Sequence, residues 1–272
     1  MDRLAGDPDG PGRVAEEPSG RDLVRIRARN PGPMTLSGTN TYVVSRDPAW
    51  VVDPGPDEPA HIEAVRAECE ARGGIAGVLL THSHADHSAG VGRLGAPLLW
   101  GAVSATDETN WRPDPDARPA SEAPPEFEVI PTPGHAADHA CFVWRDVCFC
   151  GDLILGEGST IVPPAAFGGS LGDYTRSLER VREIESALFA PGHGEWITDP
   201  QSKIDEYLAH RAKRERKLVG AIEGGERSRT ALLDETWDDV PEVLRRAAAM
   251  AMQAHLEKLE AEGILDLAEL TD

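Results

Sequence analysis

The amino-acid sequence predicts an α/β protein: two sheets packed face to face with helices outside them, followed by a small helical unit. Short β-branched and apolar runs recur in two sets, and each set adjoins a helix-like segment. From Gln201 onward the pattern turns strongly helical. The 272 residues suffice for one large domain plus a small appendage.

The first residues are rich in Gly, Pro and acids. They offer too little apolar surface to offset the entropy of ordering them, which predicts a flexible tail over 1–20. The large domain is expected over 21–200. Its first strands read Leu23 to Ala28, Thr41 to Ser45, Trp50 to Val52 and Val78 to Thr81. Among them Glu58 to Arg72 reads as a helix with Ile62, Val65 and Cys69 on one face, ended by Gly73-Gly74. The second set reads Leu98 to Trp100, Phe127 to Ile130, Cys141 to Trp144, Val147 to Cys150 and Leu188 to Ala190. A helix from about Tyr174 to Glu185 precedes the last of these. Between Ala102 and Pro125 the chain is polar and Pro-rich without clear periodicity, which fits either a substrate lid or a plain surface excursion.

The third segment, 201–272, reads as a long helix through Ile204, Leu208, Leu218 and Ile222, with a basic middle of Arg211, Lys213, Arg214, Arg216 and Lys217. Gly224-Gly225 breaks it. A short helix near Thr230 to Glu235 and a long one from Pro241 to Glu262 follow, with Gly263 as a stop. Ile264 to Leu267 reads as a short strand, so the unit is winged-helix-like.

Hydrophobic residues make up 40% of the chain, and no run of about 20 apolar residues could span a bilayer. The N-terminus lacks a signal-peptide pattern, so the expected compartment is the cytoplasm. With 47 acidic against 27 basic side chains, the formal net charge is −20. Such a charge disfavours unassisted binding to a polyanion, although a local basic patch or bound metal can reverse the field. Cys69, Cys141, Cys148 and Cys150 contain no C-x-x-C pair and read as buried small hydrophobes.

The chemistry concentrates in Val78-Leu79-Leu80-Thr81-His82-Ser83-His84-Ala85-Asp86-His87. An apolar strand delivers three histidines and a carboxylate at its exposed end, and these are ligands that zinc accepts. His135, Asp152 and His193 each follow a predicted strand and a glycine. Singly each is an ordinary loop residue, but at the strand ends of one sheet edge they converge in space and supply a ligand count for two metals.

This pattern resembles the metallo-β-lactamase superfamily, whose signature is H-x-H-x-D-H followed by separate His, Asp and His motifs. The resemblance implies a four-layer αβ/βα sandwich with metals at one edge. It places His82, His84 and His135 on a first metal and Asp86, His87 and His193 on a second, with Asp152 bridging. Two Zn2+ are the expected cofactors, with iron or manganese as alternatives. Gly151 to Thr160, Tyr174 to Leu178, Asp138-His139, the helical tail and His255 to Gly263 resemble more narrowly the beta-lactamase-like protein 2 branch, whose relatives include an endoribonuclease acting on single-stranded RNA. Ala136 departs from the Thr usual there.

The resemblance implies a metal-dependent hydrolase using a hydroxide shared between the metals, with Asp86 orienting the nucleophile. His139 is a candidate donor to the substrate, with a structural role as the alternative; Ser159 and Thr160 are either mouth residues or ordinary loop. Hydrolysis of single-stranded RNA is the first reading, on the branch likeness and the basic helix. A thioesterase of the glyoxalase II or polyketide-releasing type, acting on a small molecule or acyl-carrier partner, is the second. A non-catalytic nucleic-acid binder is the third. Assembly as a homodimer is compatible with all of them, and no membrane partner is expected.

Overall fold

The computed structural model describes residues 14–16, 22–100, 103–107, 110–113, 124 and 126–272. The first sheet opens with Val14–Glu16 (β1), Leu23–Arg27 (β2), Asn40–Val44 (β3) and Ala49–Val52 (β4), all antiparallel neighbours. The chain then crosses through Pro59–Glu70 (α1) to Ile75–Leu79 (β5). Two short helices, Ala85–Ser88 (α2) and Val91–Leu94 (α3), lead to Leu98–Trp100 (β6), and β4, β5 and β6 run parallel. Val103–Asp107 (β7) and Asn110–Pro113 (β8) form a separate hairpin. The second sheet contains Phe127–Pro131 (β9), Ala140–Trp144 (β10) and Val147–Gly151 (β11). After Leu171–Arg182 (α4) it closes with Leu188–Pro191 (β12), in the order β12-β11-β10-β9. The last part is helical: Pro200–Glu223 (α5), Arg229–Thr236 (α6) and Arg245–Ala261 (α7).

Period-two side chains build the layers. Leu23, Tyr42, Val44, Val52 and Leu79 meet Phe142, Trp144, Val147 and Phe149 between the sheets. The opposite face of the first sheet, including Val24, Ile26, Val43, Val51 and Val78, packs on Ile62, Val65 and Cys69 of α1. Cys141, Cys148 and Cys150 face outward from the second sheet onto Tyr174 and Leu178 of α4 and Ile204 and Tyr207 of α5. Helix, sheet, sheet, helix is therefore the layering. A fourth core joins Leu218, Leu232, Met252, Leu256 and Leu259 within the C-terminal unit.

Several expectations change. Val14–Glu16, assigned to a flexible tail by composition, pairs with β2, because a strand edge accepts backbone bonds from any sequence; the rest of 1–20 lies outside the described residues. The Ala102 to Pro125 stretch contains the β7–β8 hairpin where no periodicity was expected, and its remainder largely lies outside the described residues. Helix α4 begins at Leu171 rather than Tyr174, because Ser170 caps it by accepting from the Asp173 amide. Ile264 to Leu267 is not a strand: Leu267–Glu269 is a 3-10 turn capped by Asp266. The basic middle of α5 is only partly a solvent face, since Arg211 and Arg214 are buried. No helix among the described residues is long and apolar enough to cross a membrane. All four cysteines are free and buried.

Candidate metal centre

Each ligand is delivered by the end of a strand. The chain leaves β5 at Leu79 and turns through Thr81 to His87, so His82, His84, Asp86 and His87 gather within six positions. His135 comes from the turn after β9, Asp152 from the end of β11 and His193 from the end of β12. These strand ends lie at one edge of the two sheets, and there the side chains meet.

Three sets have one ligand atom each within 4.8 Å of the others: His82, His84 and His135; His82, His87 and Asp152; and Asp86, His87 and His193. In the first set His84 Nδ1 lies 3.0 Å from His82 Nε2 and 3.1 Å from His135 Nε2. Ligand nitrogens of a tetrahedral zinc stand about 3.3 Å apart, given Zn–N lengths of about 2.0–2.1 Å. Asp152 lies between the sets: Oδ1 is 3.5 Å from His87 Nε2, while Oδ2 is 3.4 Å from His193 Nε2 and 3.7 Å from His135 Nε2. His193 Nε2 is also 3.3 Å from Asp86 Oδ2.

Hydrogen bonds behind the ligands decide which atoms face the centre. His135 Nδ1 donates to the Ile161 carbonyl at 2.8 Å, leaving Nε2 as a lone pair. Thr81 Oγ1 donates to Asp53 Oδ2 at 2.7 Å and so accepts from His82 Nδ1 at 3.0 Å, which leaves His82 Nε2 as a lone pair too. Both lone pairs face His84 Nδ1, whose single proton could satisfy only one. Behind the other set, His87 Nδ1 donates to Asp53 Oδ2 at 2.9 Å. His87 Nε2 and Asp152 Oδ1 are buried without a hydrogen-bond partner. Converging lone pairs in the first set and orphaned buried atoms in the second fit a cation.

Charge is arranged to match. Burial drives His82 well below its ordinary value, lowers His84 and takes His135 down to about 4, so these imidazoles are neutral, as a metal requires. Burial would lower His193 as well, yet Asp152 and Asp86 raise it to about 9. Burial opposes the ionisation of Asp86, but His87 and His193 bring it down to about 2. The carboxylates thus hold protons on the second set of imidazoles, and a divalent cation competes for the same lone pairs.

Asp53 was not singled out by the sequence. It sits at φ 50, a left-handed conformation that Asp tolerates better than most residues, and accepts from the Thr81 amide at 2.7 Å besides the two bonds above. One carboxylate therefore orients His87 directly and His82 through Thr81. The available signal was an Asp directly after the apolar Val51-Val52 and before Pro54-Gly55. Glycines keep room beside the ligands: a Cβ on Gly192 would stand 2.4 Å from Asp152 Oδ1.

His139 belongs to none of the cation-competent sets. It is 2% exposed, its Nδ1 bonds Thr132 Oγ1 at 2.8 Å, and its ring lies 5.2 Å from that of His82. Its place is behind the ligands, where it supports His82. Thr160 is buried against His135 and Ser159 is exposed. His84 and Asp86 are the half-buried members and mark the side open to solvent.

This fold and site define a member of a metal-binding hydrolase family. The metallo-beta-lactamase superfamily model matches residues 34–124 and 102–193, and a beta-lactamase associated winged helix domain matches 235–266. The chain belongs to the metallo-beta-lactamase superfamily. It is 31% identical to the beta-lactamase-like protein 2 homolog of Drosophila melanogaster, over 92% of this chain and 91% of that protein. It is 35% identical to the lactamase-like protein adaB of Aspergillus niger over 77% of this chain, and the match spans 66% of that relative's length. An atrochrysone carboxyl ACP thioesterase of Aspergillus chevalieri is 36% identical over 74% of this chain and 65% of its own. Among solved structures, a metallo-beta-lactamase family protein of Thermus thermophilus superposes with a TM-score of 0.70 at 22% identity, covering 89% of this chain and 94% of its own, which shows the shared fold.

Proposed function

We propose that the protein is a dinuclear, zinc-dependent hydrolase whose substrate is a thioester. When bound, a pair of divalent cations supplies Lewis acidity and draws the pKa of water toward neutrality. His82, His84 and His135 would hold one cation and Asp86, His87 and His193 the other, with the Asp152 carboxylate between them. Imidazole and carboxylate donors suit zinc, and iron or manganese fits the same donors less selectively. Asp86, on the open side, orients the attacking water by hydrogen bonding. Asp53 and Thr81 keep His87 and His82 in the tautomers that leave Nε2 free.

The observation that carries the substrate class is the fate of the basic helix. Arg211 donates into the Ser159–Thr160 loop, Arg214 pairs with Asp239 at 2.7 Å, and Lys217 pairs with Asp238 at 2.8 Å. Most of the cationic run that favoured RNA is engaged in internal contacts, and the chain carries a net charge of −20. Among the described residues, α5 therefore offers a polyanion a reduced basic track. The thioesterase among the relatives supports the same reading. Single-stranded RNA remains the second reading, favoured by the near full-length likeness to the beta-lactamase-like protein 2 homologs.

The test is direct. Zinc-loaded protein is incubated with acyl-glutathione and acyl-carrier thioesters and, separately, with a single-stranded RNA oligonucleotide, each with and without chelator. Thioester hydrolysis that chelator removes is expected. Chelator-sensitive RNA cleavage with both thioesters intact would reverse the assignment.

A further inference from the structure

His135 is held from behind by a loop that the C-terminal unit fastens. Its Nδ1–H donates to the Ile161 carbonyl at 2.8 Å, and Thr160 Oγ1 stands 3.4 Å from the same nitrogen. The loop carrying these two residues has no regular secondary structure to fix it. What fixes it is Arg211, reaching over from α5. The Arg211 Nη2 donates to Ser159 Oγ at 3.2 Å and to the Thr160 carbonyl. Its guanidinium lies 5.1 Å from the centroid of the Tyr174 ring. Tyr174 in turn donates to the Leu153 carbonyl at 2.6 Å, and one helical turn before Arg211 the Tyr207 hydroxyl accepts from the Leu155 amide at 2.9 Å. The stretch from Leu153 to Ile161 is thereby bonded at both ends to α4 and α5.

We infer that Arg211 is a positioning residue for the metal centre: by holding the Thr160–Ile161 segment, whose Ile161 carbonyl accepts from His135, it sets the orientation of His135, and so tunes the affinity of the three-histidine position. The inference rests on the reading of His82, His84 and His135 as a metal position. An arginine at 7% exposure is costly to bury, and a planar fork that stacks on one ring while donating to a neighbouring hydroxyl and carbonyl is a geometry lysine cannot reproduce. Groups that orient a ligand imidazole through its remote nitrogen typically alter metal affinity by about 10–100-fold when lost. The C-terminal unit, on this account, completes the catalytic domain's own metal centre. Arg214 provides the internal comparison. It is as buried, at 6% exposed, and lies one helical turn further on. Its bonds run to the Thr236 carbonyl at 2.8 Å and to Asp239, away from the centre.

The test uses full-length protein, stripped with chelator and titrated with Co2+ by d–d absorption and with Zn2+ against a chelating dye. The wild type should show two binding steps, and the step lost in His84→Ala identifies the three-histidine position. Arg211→Met should weaken that step by about 10–100-fold and leave the other within about twofold; Arg211→Lys should fall between Arg211→Met and the wild type. Arg214→Met should lower the thermal midpoint without moving either step. Arg211→Met that is folded by circular dichroism and binds as the wild type overturns the inference, as does an equal weakening in Arg214→Met. If Arg211→Met does not fold, Arg211→Lys decides, and unshifted binding in it is the negative result. A wild type that binds no metal would instead sink the metal reading itself.

Discussion

Replacing Asp53 with Asn changes one atom in a buried cluster and should disable one metal position. The carboxylate accepts three bonds: from the Thr81 amide at 2.7 Å, the Thr81 hydroxyl at 2.7 Å and His87 Nδ1 at 2.9 Å. An amide offers one accepting oxygen and one donating nitrogen, so whichever way it turns, an N–H faces a donor. If the oxygen stays with the Thr81 amide, the new NH2 faces His87. The imidazole then moves its proton from Nδ1 to Nε2, the atom that points at Asp152 and Asp86. A protonated Nε2 cannot ligate. Each bond lost to a charged acceptor costs about 1.5–3 kcal/mol, which matches the roughly 10–100-fold loss of metal affinity typical of such supporting groups. Asn tolerates a positive φ nearly as well as Asp, so the φ of 50 at this position adds no backbone strain to the comparison. The assay is a zinc titration against a chelating dye, together with two-bond nitrogen–proton correlations that report the His87 tautomer. Wild-type affinity at both positions with an unchanged tautomer would refute the reasoning.

Asp152→Ala removes the carboxylate that stands between His135, His87 and His193; turnover of the zinc-loaded protein should fall below detection, and retention of full activity would show that it bridges nothing. Gly134→Ala places a Cβ 2.3 Å from the Tyr174 backbone at a φ of 139, so the turn before His135 must move. A loss of at least about 1–3 kcal/mol in chemical denaturation is expected, and a neutral substitution would show that the turn yields freely. In the C-terminal unit, His255 and Lys258 of α7 hold Glu215 of α5 down to about 2 against its burial. Between that value and the ordinary 4.5 the unfolded chain binds more protons, so this contribution is complete above about pH 4.5 and is lost as pH falls through about 2. Glu215→Gln should flatten the acid limb of a urea-midpoint profile in that window; an unchanged slope would show the pair is inert.

The layering was legible because strands buried on both faces read as apolar runs, and because the helix of Ile62, Val65 and Cys69 keeps a helical period. The His82 to His87 segment was legible through ligand density alone. His135, Asp152 and His193 were legible only as a set: each alone is a single polar residue after a glycine, and what united them was their shared place at predicted strand ends, with the family pattern then assigning each to a metal. Asp53 stayed hidden because an Asp before Pro-Gly is ordinary turn chemistry, and its role depends on Thr81 and His87, which are distant in sequence. The β7–β8 hairpin was missed because the Pro-rich stretch around it shows no sustained alternation of apolar and polar residues. Arg211 and Arg214 read as part of one basic run because local spacing cannot reveal that another layer covers that side of the helix. Burial of charge is a tertiary fact, and neither periodicity nor composition encodes it.

Elemental analysis of protein purified without chelator bears most directly on the assignment of His82, His84, Asp86, His87, His135, Asp152 and His193 to a cation pair. The expected result is about two divalent transition-metal ions per chain, zinc foremost, falling toward one in His84→Ala. A folded wild-type chain carrying no stoichiometric metal, and taking up none on titration, would contradict the account at its root.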